Sequence, residues 1–284
     1  MKKIVCIPFL IFIFICFTGL EVQSQERFGL IFDVQGNVEV RSHDGKVMQL
    51  KRSEHLLYPV KDGDRIKVGE GKIVVVSMKE NKGYEMLSGT EATVKGKRIV
   101  AIKGKINEVK GLQPPGEGTR GSIGGLVLRG ISIKPCIRAV APNNTAIIDL
   151  TPELVWENKC ADSKKVYVKV ISGEQVVFNT ETEEGSVKLP ENVLSYGKEY
   201  RWMVDSLKAY DVGSFSIHGE NEIKSIQENI AYLKNRGDDI TYRLSYVFYL
   251  LNKNLNLMAK DELKRLHAEY PENIYLQELM KELR

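Results

Sequence analysis

The chain has 284 residues, with 41 Lys and Arg against 37 Asp and Glu, for a net charge of +4. That balance is mixed and slightly basic and by itself implies no partner; the length is more than one core needs and suits two or three domains. Beyond the first two dozen residues no stretch is apolar for long enough to cross a bilayer, so the remaining chain is not expected to be transmembrane.

The N-terminus reads Met1, Lys2, Lys3 and then an apolar run from Ile4 to Phe17. A positive start, a short apolar core and a polar exit are the parts of a secretory signal, and about fourteen apolar residues fall short of the roughly twenty a span requires. Val22 and Ser24 suit the small-residue positions before a cleavage site, which puts the signal at 1–24 and the mature start near Gln25. An uncleaved anchor is a second reading. Lipidation at Cys16 is a third, although Ile15 before it is larger than that pattern prefers. The expected location is the periplasm or cell envelope.

Residues 27–110 are built of short alternating stretches, such as Asn37-Val38-Glu39-Val40-Arg41 and Ala92-Thr93-Val94-Lys95, with one continuous run, Ile73-Val74-Val75-Val76. Asp44-Gly45, Asp62-Gly63-Asp64, Gly69-Glu70-Gly71, Asn81-Lys82-Gly83 and Lys103-Gly104-Lys105 punctuate them as turns. This predicts an all-β module of hairpins. The order Gly36-Asn37-Val38, Val60-Lys61-Asp62-Gly63-Asp64-Arg65-Ile66, Gly71 to Val76, Met86 to Val94 and Ile99 to Val109 resembles the FecR domain over about 80 residues. The resemblance implies a periplasmic β-module without catalytic residues. FecR-type signal transducers also carry a cytoplasmic segment that engages a sigma factor. With an export signal at the start, that segment is expected to be missing here.

Residues 111–135, with Pro114-Pro115-Gly116-Glu117-Gly118 and Gly121-Ser122-Ile123-Gly124-Gly125, read as a linker. The glycines are not followed by Gly-Lys-Ser/Thr or by a helical pattern, so a phosphate-binding loop is not expected.

Residues 136–218 predict a second β-module, with strands at Ala146–Asp149, Glu153–Glu157, Val166–Ile171, Gln175–Asn179, Ser186–Leu189, Glu199–Asp205 and Gly213–Ile217. Trp156 and Trp202 fall within strands and are expected to fill the core between two sheets. Thr151-Pro152-Glu153-Leu154-Val155-Trp156-Glu157 and Leu194-Ser195-Tyr196-Gly197-Lys198-Glu199-Tyr200-Arg201-Trp202-Met203-Val204, with Pro142-Asn143-Asn144, resemble a fibronectin type III or similar immunoglobulin-like domain. That implies architecture rather than activity. Cys136 and Cys160 are the two cysteines outside the signal. In an oxidising compartment they are expected to bridge around the first strand of this module; two free buried thiols are the alternative.

From 220 to 284 the period changes. Ile223, Ile226, Ile230 and Leu233 recur three and four apart, Gly237 stops that helix, and Asp239 can cap the next. Leu244, Val247, Phe248 and Leu251 continue the pattern. Leu263 and Leu266 mark a third helix ended by Pro271, and Ile274, Leu276, Leu279 and Leu283 mark a fourth. Tyr242 to Asn273 resembles one tetratricopeptide-type helix pair. Such a pair offers more apolar face than it can cover itself. Tyr242, Tyr246, Tyr249 and Tyr275 are therefore candidates for a protein-docking surface, the alternative being that they pack the helical core and the sandwich flank.

No catalytic constellation has diagnostic spacing. His43, His55, His218 and His267 are scattered, so no metal or cofactor is expected. Glu181-Thr182-Glu183-Glu184 precedes Gly185 and reads as a solvated turn. There is no Gly-x-Ser-x-Gly, and neither late cysteine has a His beside it. Basic residues do concentrate from Lys95 to Arg138. Lys95, Lys97, Arg98, Lys103, Lys105 and Lys110 lead that stretch and form a candidate anion-binding patch; edge-strand protection against aggregation is the competing explanation. The expectation is a multidomain, mainly β chain with a C-terminal α-helical region that is not an enzyme. It would bind or scaffold in the bacterial envelope, with an envelope protein or an anionic cell-wall or lipid component, rather than nucleic acid, as partner. A FecR-type extracytoplasmic sensor and an envelope hydrolase with an unrecognised site are the rival readings.

Overall fold

The computed structural model describes residues 27–78, 80, 82–113, 136–160, 165–206 and 209–283. The expected export signal and most of the expected linker lie outside the described residues. What is described is mostly strand, in three sheets, followed by a run of helices.

In the first module β1 (Arg27–Arg41) pairs antiparallel with β2 (Val47–Leu50), with β3 (Pro59–Lys61) and, along most of its length, with β4 (Arg65–Ser77). A single helical turn, α1 (Arg52–His55), sits between β2 and β3. The C-terminal half of β4 pairs β5 (Lys82–Leu87), which pairs β8 (Ile106–Lys110). The N-terminal half of β4 pairs β6 (Glu91–Lys95), which pairs β7 (Arg98–Lys103).

The long β1–β4 ladder bends where Gly36 faces Gly71, with a register shift beside it. Both glycines have positive φ, 75° and 117°, and a Cβ on either would collide with the opposing backbone, at Glu70 O and Gln35 O respectively. The bend separates two regimes of burial. On one side, Phe28 to Val34 and Ile73 to Ser77 are continuously buried, as strands covered on both faces must be. On the other, Val38 and Val40 are buried while Arg41 is exposed, and Ile66 and Val68 are buried while Arg65 and Lys67 are exposed, so one face meets water. The shared inner face holds Phe28, Ile31, Val34, Val38, Ile66, Ile73, Val75 and Met86 around one core.

The second module stacks two sheets. One joins β9 (Ile137–Ala141), β11 (Glu153–Asn158) and β14 (Ser186–Lys188). The other runs β10-β16-β15-β12-β13, from β10 (Thr145–Ile147), β12 (Val166–Ser172), β13 (Gln175–Thr182), β15 (Glu199–Asp205) and β16 (Tyr210–Ile217). β9 is a strand that the sequence reading missed, although Ile137-Arg138-Ala139-Val140-Ala141 alternates. Cys136 and Cys160 are joined by a disulfide at the end of the β9–β11 pair, with Cα atoms 4.9 Å apart.

Trp156 and Trp202 come from opposite sheets into one core. Trp202 Nε1 donates to Pro142 O at 2.7 Å, and Gly213 is its cross-strand partner because a Cβ there would strike that indole nitrogen. Trp156 Nε1 is buried without a hydrogen-bond partner among the described residues. The two indoles should therefore respond differently to Phe. Trp202→Phe strands the Pro142 carbonyl and is expected to cost about 1–3 kcal/mol more than Trp156→Phe, which removes a donor that had no acceptor. Urea unfolding of both variants measures the gap, and equal losses would contradict it.

Candidate binding surfaces

Four helices complete the chain: α2 (Glu220–Lys234), α3 (Ile240–Asn252), α4 (Asn256–Glu269) and α5 (Ile274–Glu282). Asp239 caps α3 by accepting from Thr241 N at 2.8 Å, and Gly237, at φ 75°, lies in the turn before it. Most of their apolar surface is already occupied, with Tyr232 of α2 and Ile274 of α5 left exposed. Leu244, Val247, Phe248, Leu263, Leu266, Leu276 and Leu279 share a core with Leu30, Phe32, Val74 and Val76, the outer face of the covered half of the β1–β4 ladder. Phe32 and Phe248 stack with centroids 5.6 Å apart. Leu112, expected in the linker, is fully buried in the same core. On the other flank, Ile226, Leu233, Tyr249 and Leu250 enclose Ala146 of β10.

This corrects the docking surface expected of the tyrosines. Tyr246 and Tyr249 are buried in the helix–sandwich core. Tyr242 is half-buried, touching both helical cores, and Tyr275 packs edge-on to Tyr58 of the first module at 6.0 Å. Lys234 lies 5.3 Å from the centre of the Tyr246 ring, and Arg236 lies 5.4 Å from that of Tyr242. Burial pushes the Tyr246, Tyr249 and Tyr275 hydroxyls above their usual range. The physical reason is the surplus of apolar helical face, which the two β-modules absorb within the chain.

The six predicted cations do not form one patch. Lys95 and Arg98 face each other at the tip of the β6–β7 hairpin, with Lys97 between them, and Asp62 pins that tip by accepting from Gly96 N at 2.7 Å. Lys103 ends β7, Lys105 lies in the next turn, and Lys110 lies opposite Lys82 on the separate β5–β8 arm. Sequence reasoning missed the cations that the ladder brings toward the hairpin tip. Arg41 pairs directly with Arg65, Arg65 pairs with Thr93, and Lys67 with Glu91. Alternation had already turned Arg41, Arg65 and Lys67 outward; the pairing of their strands was the missing information.

Asp33, Asp64 and His218 are engaged in holding the fold. Asp33 is fully buried between Arg52 (Nε at 3.0 Å) and Lys72 (Nζ at 3.2 Å), the first contact an ion pair without hydrogen-bond alignment, and it also accepts from Gln35 at 2.9 Å. Asp64 is buried in its turn, accepts from Lys61 N at 2.8 Å, and is held above the usual carboxylate range by that burial. His218 sits 2.9 Å from Glu222 and 2.8 Å from Lys253 O, at the join of sandwich and helices. Among the described residues no group of three or more His, Cys, Asp or Glu is placed to hold a metal ion, and no helix is long and apolar enough to cross a membrane. A cavity of about 570 Å³ lies beside that join, with Asn144, Thr145, Arg201, Ser214 and Asn254 among its walls.

Asn273 gives the helical cover a polar latch. It is fully buried, caps α5 by accepting from Leu276 N at 2.9 Å, and donates to Leu56 O of the first module at 3.1 Å. Asn273→Ala should lose both and cost about 2–4 kcal/mol, combining a cap with a stranded buried carbonyl. Asn273→Asp keeps the cap acceptor but not the donor, so it should also destabilise. A melting temperature unchanged in both variants would show the latch to be idle.

No protein-family model matches this chain, and no curated protein matches it either.

Proposed function

We propose that this chain is a non-catalytic binding or scaffolding protein of the bacterial cell envelope, exported by its N-terminal segment. In this reading the first module is a FecR-type β-domain, the second an immunoglobulin-like sandwich, and the helices are a tetratricopeptide-like clamp. The observation that carries the proposal is the double occupancy of the helices: one flank is buried on Phe32, Val74 and Val76, the other on Ala146. A clamp of this kind fixes two β-modules in one arrangement and leaves their outward sheet faces to meet partners. The irregular, glycine-bent ladder of the first module then serves presentation rather than chemistry.

Site-specific photo-crosslinkers in intact cells test this reading. A crosslinker at Lys97, on the exposed hairpin tip, should yield adducts, while one at Tyr249, inside the clamp, should yield none. Adducts at neither position, or release of soluble fragments when the purified protein is incubated with peptidoglycan, would overturn it.

A further inference from the structure

We infer that the solvent face of the first module, on the far side of the Gly36–Gly71 bend from the helices, docks on a lipid bilayer carrying anionic phosphate headgroups. The inference deepens the binding reading by naming a partner. The face runs across five strands in the order β2-β1-β4-β6-β7, about 19 Å at ordinary strand spacing.

Register builds one row across it: Val47, Arg41, Arg65, Thr93, Val100. Arg41 and Arg65 are thus directly opposite each other, an arrangement that costs stability in a free sheet. Lys95, two residues on from Thr93, points to the same side and is itself opposite Arg98, a second like-charged pair. Glu39 reaches Arg41 at 3.7 Å, and Glu91 lies between Lys67 and Lys103. Six cations therefore share the face with two carboxylates. Protection of an exposed edge does not account for them, because of the strands that carry the cations β1, β4 and β6 are interior here and only β7 is an edge. A partner that supplies negative charge does.

The apolar residues choose among anionic partners. Val47 and Val100 stand at the two ends of the arginine row, 49% and 42% exposed, and Ile102 follows at 53%. A soluble polyanion offers these side chains nothing, whereas the headgroup region of a bilayer accepts both arginine and small apolar side chains. Arginine also bonds phosphate oxygens bidentately, which suits phospholipid headgroups.

Co-sedimentation of the purified full chain with vesicles tests the proposal. Phosphatidylcholine mixed with phosphatidylglycerol should bind the protein, and phosphatidylcholine alone should bind it far more weakly. Neutralising three cations together (Arg41→Gln, Arg65→Gln, Arg98→Gln) should weaken binding to the anionic vesicles about 100-fold, at about five-fold per cation. Lys110→Gln, on the other arm of the sheet, should leave binding unchanged. Without vesicles, the triple variant should melt no lower than the parent, because opposed charges have been removed. The proposal is overturned if anionic vesicles fail to bind, if the triple variant binds like the parent or melts well below it, or if Lys110→Gln is as damaging. It is equally overturned if Val100→Ser with Ile102→Ser binds anionic vesicles unchanged. Failure here with Lys97 crosslinks to an envelope protein would leave the scaffold reading standing.

Discussion

The contact on which the rest depends is the burial of Phe32, Leu30, Val74 and Val76 beneath α3, α4 and α5. A two-sided strand region needs a second layer, because its outer face would otherwise present several large apolar side chains to water, each worth about 1.5–3 kcal/mol when buried. The helices need the same contact for the mirror reason. Their inward residues outnumber the partners they can find on one another. Neither layer is complete alone, which couples the helices from Ile240 onward to strands more than 150 positions earlier, a long-range closure that has to be repaid by packing. Leu57 shows how firmly the junction is set: it holds φ 65°, a left-handed conformation costly for leucine, while its amide donates to Ile31 O at 2.7 Å and its side chain is fully buried.

The tie to the second module is of a different kind. There the turn between α3 and α4 meets the edge strand β10 with backbone groups. Ala146 N donates to Asn254 O at 2.7 Å, Thr145 Oγ donates to the same oxygen at 3.0 Å, and Asn256 N donates to Thr145 Oγ at 3.0 Å. An edge strand has unpaired amides and carbonyls that invite pairing with another chain, and the helix turn satisfies some of them internally. The clamp thus grips one module by an apolar face and the other by a sheet edge. Apolar burial is tolerant of small slips; directional hydrogen bonds fix the register of the join.

Much of the local structure was legible in the sequence because local rules governed it. Ile73 to Val76 read as a fully buried strand, Asp239 as a helix cap and Gly237 as a break, and each follows from side-chain pattern and turn chemistry that operate over a few residues. The two tryptophans also followed from alternation. The occupants of the helical surface were not legible. Tyr246 and Tyr249 have the composition of interface anchors, and only the three-dimensional path of β10 shows that the interface is internal. The cations illustrate the same boundary. A linear count gathered Lys95 through Lys110, whereas pairing across β1, β4, β6 and β7 moves Arg41 and Arg65 toward the hairpin tip and sends Lys110 to the other arm.

The Gly36–Gly71 bend connects these observations. Without it, β1 and β4 would continue as one sheet with one kind of outer face. With it, the same two strands serve two solvents: protein on the side of Phe32 and Val76, water on the side of Arg41 and Arg65. The charges could not sit on the covered side, where an unpaired arginine would cost several kcal/mol, and the valines could not cluster on the open side without inviting association. Placing the bend at two opposed glycines therefore lets one ladder hold the fold together at one end and display a dense cationic face at the other. Rigid display follows from rigid attachment, since the strands that carry the arginines are the strands the helices hold.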